Sequence, residues 1–256
     1  MSIPYVVLCL LVMSVPAAVA EVQDVDTPAA EGDRWVIQVT PYVWAAGIRG
    51  DVSPFKRGPV ATIEKSFGDV LEDLNFAAFA NFGVRKDRFV FAADVAYIDL
   101  SDNEVIDFIP ALGATVDVQA LSSTLQAGYR VYEESQVAFD VLAGARGWFI
   151  STAIDVSLGG LSRSVNEDFG WVDPVIASRG LFKLTDKVSL LAYGDIGGFG
   201  AGSRFTWQVL ATVNYAFTKH LSVSGGYKIL STDYSSDGHV FDTTLAGPAF
   251  GVTYRF

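Results

Sequence analysis

The sequence predicts an all-β protein: a transmembrane antiparallel up-and-down β-barrel of about ten strands, behind a cleavable signal peptide. Three observations carry this. Half of the residues are hydrophobic, yet after residue 20 no stretch approaches the roughly 20 consecutive apolar residues that a membrane helix needs. The apolar residues instead alternate with small and polar ones at the two-residue period of a strand. The connections between alternating segments are by turns short and long, the asymmetry of barrels with tight turns on one side of a membrane and loops on the other.

Ile3 to Ala20 carries no charged side chain and closes in Ala18-Val19-Ala20 before Glu21, an A-x-A cleavage pattern. The rival reading is an uncleaved anchor, because the first residues lack Lys and Arg; Pro16 and the small-residue ending favour cleavage. The expected organisation is a signal peptide at 1–20, a short periplasmic segment at 21–33 and the barrel at 34–256. Cys9, the only cysteine, lies in the leader and follows Leu8 rather than the small residue of a lipoprotein signal. Cleavage therefore leaves a chain without disulfides, thiol chemistry or Cys-ligated metals, and no cofactor is expected. A net charge of -11 makes nucleic acid an unsuitable partner.

The strands follow in order. Trp35, Ile37, Val39 and Val43 share one face of the first, opposite Gln38, Thr40 and Tyr42. In the second, 74–85, Phe76, Ala78, Ala80 and Phe82 lie opposite Asn75, Asn81 and Arg85, and Lys86-Asp87 turns the chain. The third, 88–98, directs Phe89, Phe91 and Val95 outward and Asp94 inward. The fourth, 116–132, directs Leu125, Ala127 and Tyr129 outward and Thr124, Gln126 and Arg130 inward; its phase slips near Ala120, which suggests a bulge. The fifth, 136–150, has Phe139 and Val141 out and Asp140, Arg146 and Trp148 in. The sixth, 171–184, carries Arg179 inward, and the seventh, 188–196, Tyr193 and Asp195. The eighth, 204–217, alternates from Phe205 to Phe217; the ninth, 221–232, has Lys228 inward; the tenth ends the chain. The segment 151–158 could count separately, so eight or twelve strands fit the same pattern. Short connections fall at 86–87, 133–135, 185–187 and 218–220, and long ones at roughly 45–73, 99–115, 151–170, 197–203 and 233–241.

Pro41, Pro174 and Pro248 oppose a closed wall, since proline cannot donate to a ladder; bulges would accommodate them. A soluble sandwich or lipocalin-like barrel alternates too, but turns its apolar face inward. Here the leader, the loop asymmetry and the terminal aromatic strand decide for the membrane. In that last strand Phe250, Val252, Tyr254 and Phe256 occupy one face and Gly251, Thr253 and Arg255 the other.

That tail resembles the closing strand of a Gram-negative outer-membrane barrel. Thr40-Pro41-Tyr42-Val43-Trp44, Trp171-Val172-Asp173-Pro174, and Gly197-Gly198-Phe199-Gly200-Ala201-Gly202-Ser203 followed by Phe205-Thr206-Trp207-Gln208 are similar to an uncharacterised family of proteobacterial outer-membrane β-barrels, loosely of the OmpA and OmpW types. The resemblance covers about 34–256. It implies export through the periplasm to the outer membrane, a monomer surrounded by lipid and lipopolysaccharide, and assembly machinery that reads Phe250, Val252, Tyr254 and Phe256. It implies no activity.

The candidate functional residues are the lumen-facing charges Arg85, Asp94, Arg130, Asp140, Arg146, Asp173, Arg179, Asp195, Arg204 and Lys228, joined by Arg255. A narrow barrel cannot leave such groups dry and unpaired. They form either an ion-paired plug or the lining of a thin water path; the basic excess among them would give a path weak anion preference. Asp237-Gly238-His239, near Asp233 and Asp242, has the members of a carboxylate–histidine general base, but no Asp-x-Asp faces it and Asp-Gly is a turn signal. It reads as a solvated loop, and no enzyme is expected. Gly194 to Gly202 lacks a following helix and reads as a tight hairpin. Phe67 to Leu74 reads as a surface turn, or as a lid tucked into the mouth. Trp35, Phe89, Tyr129, Phe182, Phe217, Tyr254 and Phe256 form the periplasmic girdle. The expected function is structural or passive transport of small polar solutes through a narrow pore. The alternative is surface binding or adhesion through external loops, with a protease or lipase behind both.

Overall fold

The computed structural model describes residues 35–56, 58–102, 112–158 and 161–256. The signal peptide and the 21–33 segment lie outside them. One antiparallel sheet contains β1 (Trp35–Trp44), β2 (Gly47–Ser53), β3 (Ala61–Lys65), β4 (Leu74–Lys86), β5 (Phe89–Asp102), β6 (Leu112–Glu134), β7 (Val137–Leu158), β8 (Leu161–Lys183), β9 (Val188–Gly197), β10 (Phe205–Ala216), β11 (Leu221–Ser236) and β12 (His239–Arg255), with the short helix α1 (Phe67–Glu72) between β3 and β4. Ten strands close the wall. β4 to β12 follow in sequence order, and β1 pairs with β4 on one side and β12 on the other. β2 and β3 continue that wall beyond β1: β2 pairs with Val240–Ala246 of β12, and β1 with Ala249–Arg255. Both described chain ends lie at the end with the short turns, the periplasmic end of such a barrel.

The outward face identifies the solvent. Val43 and Leu125 are 61% exposed and Phe256 67%, and residues of this kind recur on every wall strand. In water so much exposed apolar surface would aggregate; against lipid it is the matched surface. A closed wall is the only sheet a bilayer accepts, because it leaves no backbone group unpaired.

Four expectations need correction. The long loops at 151–170 and 233–241 are largely strand, as are the described residues at both ends of 99–115: β7 and β8 stay paired from Val137↔Phe182 to Leu158↔Leu161, and β11 and β12 up to Ser236↔His239. The 151–158 segment is thus the upper part of β7. The slip near Ala120 is no bulge, for β6 and β7 keep one register from Leu112↔Leu158 to Arg130↔Asp140 and shift only between Arg130 and Tyr132. The change of pattern has another cause: Val118 and Ala120 face inward against apolar neighbours. The turn after β4 is Asp87-Arg88, with Asp87 at φ 52°.

The prolines need no bulges either. Pro41 falls in a gap of the β1–β12 ladder whose register is the same on both sides, Val39↔Tyr254 and Tyr42↔Gly251. Pro174 lies one residue past the end of the β8–β9 ladder, its carbonyl accepting from the Gly198 amide at 3.0 Å. Pro248 faces the break between β1 and β2, its carbonyl accepting from the Ala45 amide at 2.9 Å.

Helix α1 is no lid. Ser66 and Asp69 form a capping box, whose bonds hold the Asp69 carboxyl below its ordinary value. Lys65 at the end of β3 donates to Asp73 at 2.7 Å and to Asp102 at the end of β5. No α1 residue belongs to either apolar cluster of the interior.

Candidate functional site

The barrel interior is organised in layers, and strand register makes each. Nearest the periplasmic end, Asp140 on β7 lies opposite Arg130 on β6 and Arg179 on β8. Its carboxylate accepts from Arg130 Nε at 2.8 Å and from Arg179 Nη2 at 2.6 Å, while Arg130 also reaches Glu133 at 2.7 Å. One buried carboxylate between two guanidinium groups is a strongly charge-assisted arrangement.

The next layer has two parts. Lys228 Nζ donates to the Tyr42 hydroxyl at 2.9 Å and to Asp94 at 3.0 Å, and lies over the Trp44 ring at 4.8 Å. Across the lumen, all three nitrogens of the Arg146 guanidinium are engaged: Nε with Thr124 at 3.1 Å, Nη1 with Thr206 at 3.1 Å and Nη2 with Asp195 at 2.6 Å. Arg146 is 0% exposed. The Tyr193 hydroxyl donates to Asp195 at 2.7 Å. Arg146 faces Asp173 across the β7–β8 ladder, yet the described bonds of Asp173 are to the Trp171 indole N–H at 2.9 Å and the Ser203 amide at 2.6 Å. A carboxylate held by two N–H donors needs no cation beside it.

Beyond these charges, towards the external end, the lumen is filled by rings. Trp171 stacks on Tyr234 with centroids 3.9 Å apart and on Trp148 at 5.6 Å; Phe169 stacks on His239 at 4.5 Å. Phe241 leans on both indoles at 5.5 and 5.8 Å. Trp44, Ile150 and Leu230 complete the same buried cluster. Offset and stacked rings at these separations add to the area they bury.

His239 is a further correction. It is 2% exposed rather than solvated. Nδ1 lies 2.8 Å from the Pro54 carbonyl and Nε2 3.5 Å from Glu167, so it ties the start of β12 to the segment after β2 and to β8. The Asp237-Gly238 turn was legible, with φ of 50° and 84° as a two-residue hairpin turn requires. Two of the proposed lumen charges stand apart from the layers. Arg85 donates to the Asp87 carbonyl at the periplasmic turn. The Arg204 side chain is 71% exposed and pairs with Asp233 at 2.8 Å on the outer face, because β10 begins only at Phe205. Above the apolar belt the outer face turns acidic: Asp51, Asp242 and Asp233 are direct neighbours on β2, β12 and β11. The Asp242 carboxyl is pushed up by burial first, then by Asp233 and Asp51, against the pull of Arg204.

Between the periplasmic turns and the Lys228–Tyr193 layer lies a cavity of about 500 Å³, lined by Gln38, Asp94, Gln126, Arg179, Tyr193 and Lys228 among others.

No protein-family model matches the chain, and no curated protein matches it either. Solved structures do. The outer membrane protease OmpT from Escherichia coli aligns with a TM-score of 0.50 at 12% identity, covering 88% of this chain and 97% of that one. The fold is that of an outer-membrane β-barrel. The translocator domain of the autotransporter NalP from Neisseria meningitidis gives 0.44 at 14% identity over 87% and 88% of the two chains. The attachment invasion locus protein Ail of Yersinia pestis gives 0.33 at 14% identity over 88% and 99%. At such identities the likeness is one of fold, and it does not single out the OmpA or OmpW type.

Proposed function

We propose that this protein is a sealed, structural outer-membrane barrel that anchors a rigid external β-structure. The observation that carries this is the ring stack of Trp148, Trp171, Tyr234, Phe169 and His239 inside the external end of the wall. A static water path needs hydrated groups along its length. Here the rings are buried and the charges beneath them spend their bonds on one another. Both features favour the plug over the narrow pore. The external part fits a display role: β6, β7 and β8 contain 23, 22 and 23 residues, about twice the nine to eleven that a tilted crossing requires.

In this reading the lateral partners are outer-membrane lipid and lipopolysaccharide, the protein is a monomer, and Phe250, Val252, Tyr254 and Phe256 are the strand read during assembly. The protease activity in OmpT's name is not carried over: Nδ1 of His239 is taken by the Pro54 carbonyl, and its buried ring is covered by Phe169. Liposomes containing the refolded protein are expected to resist swelling in small sugars and amino acids as empty liposomes do. Rapid swelling would overturn the proposal.

A further inference from the structure

We infer that the upper edge of β8 is a docking site for an extended cationic segment of another polypeptide, which pairs with it as an added strand. The inference rests on the display part of the proposed function and is independent of the sealed lumen.

The wall is uneven at its external end. β8 runs from Leu161 to Lys183, but its ladder to β9 starts only at Val175. The Pro174 carbonyl accepts from the Gly198 amide, and the connection after β9 packs against the strand as far as Val172, whose carbonyl lies 2.6 Å from where a Gly202 Cβ would stand. Above that point β8 is paired on its β7 side alone, in one unbroken register. Backbone groups along a strand alternate between its two sides. Pro174 points toward β9, and Lys183, which donates to the Gln136 carbonyl, points toward β7. Even-numbered residues therefore face the side where β9 has ended. Ser164, Asn166, Asp168 and Gly170 are exposed, and their N–H and C=O groups have no backbone partner among the described residues.

An open edge of this kind is a template for another strand, and proteins usually blunt it with proline, a bulge or shortness. Between Leu161 and Asp173 there is no proline, and the pairing with β7 has no bulge. Charge selects the partner. Asp168 lies on the edge, Asp155 is opposite Ser164 on β7, and Asp237 is in the turn of the hairpin whose His239 stacks on Phe169. Against them stands Lys56, whose backbone meets that turn at Gly238, in a chain of net charge -11. Two copies in one membrane, related by a two-fold axis along its normal, would set Asp168 beside Asp168 at one height, a like-charge contact. Residues directly opposite in an antiparallel pair share a face. Asp168 shares the outer face with Val172, which is 61% exposed, so the ligand residues whose amides meet β8 carry the outward, cationic side chains. Behind the gap the Phe169 and Trp171 rings reach Tyr234 on β11, which suits apolar side chains at the inward positions.

Fluorescence anisotropy with the refolded protein in uncharged micelles tests this, using labelled peptides of about eight residues. A peptide alternating Lys with Val is expected to bind about tenfold or more tightly than its Glu–Val counterpart. N-methylation at the Lys residues blocks the amides that face β8 and is expected to abolish binding. N-methylation at the Val residues, whose amides face away, is expected to spare it. Asn166→Pro removes one edge donor and leaves the β7 ladder in place. It is expected to weaken binding about tenfold or more with the folded gel mobility retained, while Asn166→Ala binds as the wild type does. The methylated peptides need no variant, so the test survives if Asn166→Pro does not fold. Absent binding, equal binding of the Glu–Val peptide, equal binding of the two methylated forms, or undiminished binding by a folded Asn166→Pro protein would each overturn the inference. So would a dimer in sedimentation that Asn166→Pro dissociates, which would assign the edge to a second copy. A conducting wild type would refute the sealed lumen and leave this result standing.

Discussion

Replacing Arg146 with methionine separates a dry interior from a wet one. In the wild type the guanidinium is fully buried, with a 2.6 Å bond to Asp195 and two 3.1 Å bonds to Thr124 and Thr206. Arg146→Met leaves Asp195 with the Tyr193 hydroxyl alone. Breaking a buried pair in this way costs about 3–5 kcal/mol, and the two lost hydroxyl contacts add about 0.5–1.5 kcal/mol each. In a hydrated pore the orphaned carboxylate would be solvated, and the loss would approach the ~0–1 kcal/mol of an exposed pair. The double variant Arg146→Met/Asp195→Leu removes both charges and is expected to recover most of the loss. Urea unfolding of the refolded protein, followed by tryptophan fluorescence and folded gel mobility, reads all three states. A single variant that costs under about 1 kcal/mol would refute the dry interior.

Three further outcomes are expected. Trp148→Ala/Trp171→Ala removes the centre of the ring stack; each large-to-small change costs about 3–5 kcal/mol, and the folded fraction should leak small ions where the wild type does not. Asp140→Asn leaves Arg130 and Arg179 facing a neutral amide, and should destabilise by about 3–5 kcal/mol in the same urea assay. Asp242→Asn should stabilise slightly at neutral pH. Because the Asp242 carboxyl is raised, its contribution to stability is fullest below the ordinary Asp range and is lost as pH rises through the folded-state value. The asparagine variant escapes that loss, by about 0.2–1 kcal/mol and nearer the lower figure at this screened, exposed site. The difference between the variants should vanish on acidification.

The wall was legible because period-two alternation has large amplitude where one face meets lipid. From Val137 to Phe149 and from Phe205 to Phe217 the outward residues are apolar or Gly, and the inward ones are small or polar apart from Leu142, Trp148 and Leu210. Above the lipid that contrast fades. Asp155 and Asp168 face out there and Ile150 and Phe169 face in, so continuous strands looked like loops and the inward Val118 and Ala120 looked like a slip of phase. The aromatic plug stayed hidden for the same reason: Trp148, Trp171, Tyr234 and Phe241 have the composition of a girdle, and only the parity of each strand sends them inward. The inward charges were identifiable one by one, but their partners depend on register. Asp140 between Arg130 and Arg179 follows from two ladders, and Asp173 turning to Trp171 and Ser203 follows from the loop after β9. The burial of His239 is not readable locally: its turn is set by Asp237-Gly238, while the burial rests on Phe169, Pro54 and Glu167, all distant in sequence.

Single-channel recording of the refolded wild-type barrel in a planar bilayer tests the sealed lumen most directly. The account predicts a silent membrane at moderate voltage, with discrete steps appearing only when the Trp148–Trp171 pair is removed. Reproducible steps from the wild type would contradict it and would make the layer of Arg146, Asp195 and Lys228 the lining of a pore.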